Sequence, residues 1–299
     1  MTFSIVAIDR ENKEVGFAIA SCCWNSGLVC AAEAEVGVIA SQAQGNLKFL
    51  SEFFLQLEQK KSLKEILVHF KEIDEGIEKR QIGMITFDGD VLAFSGQNIS
   101  QWAGHKTGKN YSCQGNILVG PEVVNDMSAA FEKTEGKLMD KLLAALIAGD
   151  KAGGDARGKQ SARLQVKKIG AGVLGSNIDV DITIEDHEDP VKELERILKV
   201  RKSLMTIFQM FGAFQQAEEK EQKLAVLEKA INFLGDKKEA RYLDYWTSIG
   251  EEFMKLGEMK KAISVFRTTI KINPEMRKIL AKSFPEDTPK EVIEQIMKN

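Results

Sequence analysis

The residue with the clearest chemical potential is Thr2, which follows Met1 at the start of an apolar stretch that predicts a β-strand over residues 2–9. Removal of Met1 would give one residue both a nucleophilic hydroxyl and a free α-amine. An α-amine has a pKa of about 8, so it can accept a proton near neutral pH. A threonine and its own N-terminal amine form a known nucleophile and base pair. The alternative interpretation is that Thr2 simply opens the first strand.

A second group of chemically useful side chains lies in the glycine-rich stretch 153–160, which includes Asp155, Arg157 and Lys159. The spacing is close to that of a phosphate-binding P-loop. However, Gln160 stands where that loop needs Ser or Thr, and the predicted helix precedes the stretch instead of following it. We therefore reject nucleotide binding and expect a bent loop that exposes backbone N–H groups. The structural alternative is a connector with an internal Asp155–Arg157 ion pair, and the sequence favours neither.

Strand and helix patterns place these residues in an α+β fold. Alternating or continuous apolar residues predict strands over residues 2–9, 15–21, 36–43, 81–87, 91–95, 111–119, 161–169 and 178–185. Two pairs of helices are predicted between them, over residues 47–57 and 63–70, and over residues 121–131 and 138–147. Because the strands are apolar along most of their length, we expect two sheets stacked between helical layers.

The stretch Gly170–Gly175 has the glycine spacing of a dinucleotide-binding fingerprint. That fingerprint needs a helix whose N-terminus faces the pyrophosphate. Here a second strand pattern follows at 178–185, so we predict a glycine-rich hairpin loop without a nucleotide.

Several segments, taken in their order along the chain, resemble one family. They are residues 1–7, 40–43 with Asn46, 80–83, 102–105, 114–124 and 152–162. The combination resembles the bacterial and archaeal family called domain of unknown function 1028, from residue 1 to about 186. That family is grouped by fold with the N-terminal nucleophile (Ntn) hydrolases. The resemblance implies a four-layer αββα sandwich.

The resemblance to Ntn hydrolases implies amide hydrolysis, with Thr2 as the catalytic nucleophile and its α-amine as the base. Residue chemistry adds candidates for substrate binding. The side-chain amides of Asn46 and Asn116 could stabilise an oxyanion. Asp155 and Arg157 could hold a charged group on a small amide or carboxylate ligand, because an arginine fork binds both oxygens of a carboxylate.

One departure from the Ntn pattern leaves a second hypothesis open. Proteasome-type members carry a lysine behind the nucleophile, and the comparable stretch Cys30–Glu35 has none. This weighs against a proteasome-like mechanism. The alternative is a non-catalytic ligand-binding or scaffold protein, since one fold can host unrelated functions.

The last third of the chain changes to helical periodicity throughout. The stretch Trp246–Phe253, followed by Gly257, Ala262–Phe266 and Pro274, resembles a tetratricopeptide repeat (TPR). A lone repeat cannot bury its apolar face. We therefore expect a helical TPR-like domain over residues 188–299, after a sandwich domain over residues 1–187. Such helices would bind a protein partner or a second copy of the chain; the alternative is a helical extension that only stabilises the first domain.

Composition excludes several function classes. The net charge of −3 over 299 residues gives no reason to expect nucleic-acid binding. No apolar run reaches the roughly 20 residues that a membrane span needs, and no signal-peptide pattern opens the chain, so we expect a cytoplasmic protein without membrane association. The four cysteines lack metal-site spacing and there are three histidines, so we expect reduced thiols and neither a metal nor a cofactor.

Overall fold

A computed structural model describes residues 2–285 and 288–298. The chain begins with antiparallel sheets and their helices and ends with helices alone. It divides into two compact units, Met1–Leu198 and Lys199–Asn299. Helix α5, Pro190–Gln216, begins in the first unit and ends in the second. The domain boundary expected after residue 187 stays a prediction. No helix in the described ranges has the length and apolar character needed to cross a membrane.

The strands form two antiparallel sheets in the first unit. A six-stranded sheet has the order β10-β9-β2-β1-β8-β7, and a four-stranded sheet has the order β3-β4-β5-β6. The strands are β1 Thr2–Asp9, β2 Glu14–Ser21, β3 Cys30–Glu33, β4 Gly37–Ala43, β5 Arg80–Thr86, β6 Val91–Ser95, β7 Ala103–Gly108, β8 Tyr111–Asn116, β9 Ser161–Lys167 and β10 Ile178–Ile184.

Strand β1 lies in the middle of the larger sheet, and its alternate residues serve two different cores. Phe3 and Ile5 pack with helices α3 (Glu122–Lys133) and α4 (Leu138–Lys151). Val6 and Ile8 face the other way and pack with residues of the four-stranded sheet. This division follows from the two-residue period of a strand, in which neighbouring side chains point to opposite faces.

The four-stranded sheet has a helical cover of its own. Helices α1 (Lys48–Glu58) and α2 (Leu63–Ile73) pack on β4 and β5, with Phe49 and Phe70 stacked at 4.1 Å between ring centroids. Helix α2 begins at the predicted capping box, in which Ser62 and Glu65 each bond the other's backbone N–H.

The glycine-rich stretch between β9 and β10 is a hairpin connection, as the sequence predicts. The two strands pair antiparallel, and Gly170 and Gly175 have positive φ angles of 66° and 77°. Only a short 3-10 turn, Val173–Gly175, lies between the strands. A helix N-terminus for a pyrophosphate is therefore not present at this position.

The second unit consists of packed helices. They are the C-terminal part of α5, then α6 Lys220–Leu234, α7 Leu243–Lys255, α8 Met259–Ile272, α9 Met276–Ser283 and α10 Lys290–Met297. Helices α7 and α8 approach closely because Gly250 faces the ring of Phe266, which lies 2.8 Å from where a Cβ would stand. Trp246 and Phe253 fill the same core.

Candidate functional site

Thr2 lies at one end of the gap between the two sheets. It is the first residue of β1, its exposed fraction is 7%, and β2 and β8 flank it. Alternation places its side chain on the same face as Ser4, which bonds Gln42 of the four-stranded sheet with its hydroxyl. The predicted nucleophile is therefore held on a central strand with its hydroxyl facing the other sheet.

The hydroxyl of Thr2 is part of a short polar chain. Its Oγ1 donates to Oγ of Ser21, the last residue of β2, at 3.2 Å. The Cys23 thiol reaches the same Ser21 oxygen at 3.3 Å. These contacts fix the Thr2 side chain and bring one exposed thiol near it.

Asn116 stands directly opposite Thr2 in the β1–β8 pairing. Its Nδ2 donates to Gln81 Oε1 at 3.0 Å and lies 3.5 Å from the carbonyl oxygen of Thr2. Its side-chain oxygen is buried and accepts no hydrogen bond from the part of the chain that the structure describes. The structure thus brings Asn116 to Thr2, with its N–H groups directed at protein acceptors.

Asp155 ties the glycine-rich loop to this end of the sheet. Its side chain is 1% exposed and accepts hydrogen bonds from the backbone N–H of Cys22 at 2.8 Å and of Arg157 at 2.9 Å. A bridge between Leu118 and Asp155 joins the same loop to the segment after β8. Asp155 therefore contacts both segments that flank Thr2.

Arg157 pairs with Asp155 and extends to the surface. Its Nε and one terminal nitrogen donate to the two carboxylate oxygens at 3.3 and 3.1 Å, and 42% of its side chain is exposed. Hydrogen bonds to Asp155 raise the pKa of the Arg157 guanidinium above its ordinary value. The loop hence contains the ion pair that the sequence allowed for, and the Arg157 side chain is partly exposed.

Asn46 belongs to a different cluster. Its Nδ2 donates to Asp74 at 2.9 Å and its Oδ1 accepts from the N–H of Lys48 at 3.1 Å. Asp74 also binds Arg80, the first residue of β5. Both ends of the Asn46 amide are thus used by neighbouring loops, and its role in substrate binding stays a prediction.

A network of buried amides, missed by the sequence reasoning, supports Asn116 from the gap between the sheets. Gln81 Oε1 accepts from Gln42 as well as from Asn116, and Gln114 donates to Ser4 Oγ at 2.7 Å. Ser4, Gln42, Gln81 and Gln114 are at most 1% exposed. The signal that could have found them is a polar residue at an inward-facing position of an otherwise apolar strand.

A small recess lies beside the Asp155 loop, on the side of the larger sheet that faces helices α3 and α4. It is lined by Phe3, Ser21, Asp155 and Lys159, among others, and has a volume of about 10 Å³. Lys159 is held there by Asp150 at 2.7 Å and Asp189 at 3.3 Å. Within residues 2–285 and 288–298, no three His, Cys, Asp or Glu side chains gather in a way that could hold a metal ion.

Comparison with known proteins gives the family. The model of the family of unknown function DUF1028 matches residues 2–194, and the chain belongs to that family. A crystal structure of a Silicibacter pomeroyi protein, described as matching the same family, is similar with a TM-score of 0.61 and 28% sequence identity. The similarity covers 66% of this chain and 84% of that one. Comparison with the curated proteins gave no match.

Proposed function

We propose that the first unit is a four-layer αββα sandwich of the Ntn-hydrolase type. Two observations support this. Helices α3 and α4 cover the outer face of the six-stranded sheet, and helices α1 and α2 cover the outer face of the four-stranded sheet. The inner faces pack on each other through residues such as Val6 and Val38. The first residue of a central strand then lies at one end of the gap between the sheets.

We propose amide hydrolysis by Thr2 as the activity of this unit. Cleavage of the peptide bond before Thr2 frees its α-amine. Thr2 Oγ then attacks an amide carbonyl while the α-amine takes the hydroxyl proton. Collapse of the tetrahedral intermediate breaks the C–N bond, and the leaving amine receives that proton. Water hydrolyses the resulting ester, which releases the acid and restores the hydroxyl. The observation that carries the proposal is the nearly buried hydroxyl of Thr2, fixed on Ser21 beside the Asp155 loop.

The proposed substrate is a small amide that carries a carboxylate. The partly exposed Arg157 side chain places a guanidinium near the residues that follow β2. Charge-assisted hydrogen bonds from a guanidinium suit a carboxylate. Thr2 is only 7% exposed, so substrate entry requires movement of the side chains that cover it.

The test compares full-length chains that begin at Thr2, produced by cleavage of an N-terminal fusion. N-acetylated amino acids are the substrates, because they combine an amide with a carboxylate. Thr2→Val keeps the side-chain shape and should lower hydrolysis at least about a thousandfold, whereas Thr2→Ser keeps the hydroxyl and should retain part of it. Full activity in Thr2→Val would refute the proposal.

A non-catalytic ligand-binding or scaffold function is the second candidate, and the absence of a lysine in the stretch Cys30–Glu35 favours it. On this hypothesis, N-acetylated amino acids bind near Asp155 and Arg157 without turnover. Titration calorimetry with the Thr2→Val chain separates the two. The ligand-binding function would be supported by three results together. The chain with Thr2 hydrolyses none of these compounds, the Thr2→Val chain binds them, and Arg157→Met abolishes that binding.

For the second unit we propose a TPR-like module that binds a protein partner or a second copy of the chain. The support is the α7–α8 helical pair, in which Trp246 and Phe253 pack with Phe266 and a glycine permits close approach. Analytical ultracentrifugation over a range of concentrations tests self-association. A monomer at every concentration would leave only the protein-partner form of the proposal.

A further inference from the structure

The orientation of Gln81 is determined by the backbone around it. Its Nε2 lies 2.9 Å from the carbonyl oxygen of Gly115, 3.1 Å from that of Gly104 and 2.8 Å from Ser95 Oγ, so its two N–H groups point to this side. A backbone carbonyl can only accept, so the amide nitrogen must be on this side. Gln81 Oε1 is then fixed on the opposite side, where it faces Gln42 and Asn116.

The orientation of Asn116 follows from that of Gln81. Only the Nδ2 of Asn116 can meet Gln81 Oε1, because the reverse placement would set two carbonyl oxygens against each other. Asn116 Oδ1 is left as a buried acceptor in a residue with 0% exposure, without a donor among the residues that the structure describes. An unsatisfied buried acceptor is costly, so a donor at this position would stabilise the folded chain.

The neighbouring strand determines which donor can reach it. Asn116 is paired with Thr2, and its Nδ2 lies 3.5 Å from the Thr2 carbonyl oxygen. Side chains of directly opposed residues lie on the same face of a sheet, about 5 Å apart. Asn116 Oδ1 belongs to the same carboxamide as Nδ2 and lies on the face of the sheet that the Thr2 side chain shares. Cleavage of the bond before Thr2 converts one amide N–H at that point into an ammonium with three N–H groups.

We propose that Asn116 Oδ1 accepts a hydrogen bond from the α-amine of Thr2 in the cleaved chain, which makes Asn116 a positioning residue. This rests on the proposed function, since it needs a free amine on Thr2. The hydrogen bond to Asn116 uses one N–H of the Thr2 α-amine. It therefore restricts the directions in which the lone pair of the neutral amine can point. It also stabilises the charged form, because a carbonyl oxygen favours an ammonium. Asn116 thus acts through its oxygen and not as the oxyanion donor expected from the sequence.

The test measures the pKa of the Thr2 α-amine in full-length chains that begin at Thr2. Competitive acetylation at a series of pH values, read out on the N-terminal peptide by mass spectrometry, gives this pKa without any need for activity. Asn116→Leu should lower the pKa by roughly one unit, and Asn116→Asp should raise it by a similar amount. Ser112→Ala, a buried position on the same face of β8, is the matched control and should leave the pKa unchanged.

The outcomes separate this inference from the proposed function. An unchanged pKa in both Asn116 variants, with circular dichroism spectra matching the control, would refute the Asn116 contact. Thr2-dependent hydrolysis together with an unchanged pKa refutes the contact alone. A shifted pKa in a chain that hydrolyses nothing supports the contact and refutes the amidohydrolase.

Discussion

Asp155 is the residue whose contacts hold the candidate site together. Its carboxylate is almost completely buried, yet it accepts from two backbone N–H groups and from the Arg157 guanidinium. The sequence allowed the ion pair with Arg157 as one of two alternatives. The bond to Cys22 joins residues 133 positions apart, and no local sequence pattern predicts it.

Replacement of the Asp155 carboxylate should lower the free energy of unfolding substantially. Asp155→Ala removes the acceptor of two part-buried backbone N–H groups and the ion pair with Arg157, so we expect a loss of about 3 kcal/mol in the free energy of unfolding, measured by urea titration. Asp186, an exposed carboxylate that binds Gln160, offers the control. Asp186→Ala should cost less than about 1 kcal/mol. Equal losses of unfolding free energy in Asp155→Ala and Asp186→Ala would show that burial of the Asp155 carboxylate does not increase its contribution to stability.

The four cysteines should differ in reactivity. Cys30 and Cys113 are buried, and burial raises the pKa of both thiols far above the ordinary value, so almost no thiolate forms. Cys23 is exposed and Cys22 is partly exposed. Iodoacetamide at pH 8 should label only Cys22 and Cys23 in the native protein and all four cysteines in denaturant, as read by peptide mass spectrometry. Rapid native labelling of Cys113 would show that the sheet opens readily.

Among the elements, the C-terminal end of α2 is joined to the start of β5 by one ion pair. Asp74 follows the last residue of α2 and binds Arg80 at 2.9 Å. Hydrogen bonds from Arg80 and Asn46 lower the pKa of the Asp74 carboxyl from 3.8 to about 2. Its pKa in the folded chain therefore lies below the unfolded value.

This shift predicts a pH dependence of stability. A lowered carboxyl pKa contributes stability that is fully present above about pH 5 and is lost as the pH falls through 3.8 towards 2. We expect about 2 kcal/mol from this residue. In Asp74→Asn, the urea midpoint should fall less steeply between pH 5 and pH 2 than in the unchanged chain. Parallel curves would show that Asp74 titrates normally.

The helical pair α7–α8 gives a second prediction at this scale. Phe266 is fully buried against Gly250, whereas Phe208 on α5 is 61% exposed. Phe266→Ala should lower hydrogen-exchange protection in α7 and α8 by about 3–5 kcal/mol, because it leaves a cavity. Phe208→Ala should change protection by less than about 1 kcal/mol. Similar losses of protection in Phe266→Ala and Phe208→Ala would mean that the α7–α8 contact contributes little to the stability of these helices.

Most elements were predictable because their apolar residues recur at the period of a strand or a helix. The exceptions are short or polar. Strand β3 has four residues, three of them small, and β7 carries exposed polar side chains such as His105 and Lys106. Neither shows a period of two. Both lie at an edge of a sheet, where backbone pairing with β4 or β8 defines the strand.

At the scale of the whole molecule, the sequence located the two kinds of architecture but only part of the candidate site. Thr2 could be named from the sequence because the chemistry proposed for it depends on its place in the chain, and its role stays a prediction. Asn116 was named for its amide nitrogen, yet the structure gives that nitrogen a partner in Gln81 and leaves the oxygen. Such an orientation depends on residues from other strands and cannot be read from local patterns.

The buried amides also determine how the two sheets can dock. Apolar contacts are non-directional, so apolar layers tolerate sliding past one another. Hydrogen bonds from Ser4 to Gln42 and from Gln81 to Gly115 cross the gap and require particular angles. A misdocked pair of sheets would bury these groups without partners, at about 1–3 kcal/mol for each. The buried glutamines therefore determine how the two sheets align. Variants that replace them with leucine should keep the apolar core but lose the single docked arrangement of the sheets.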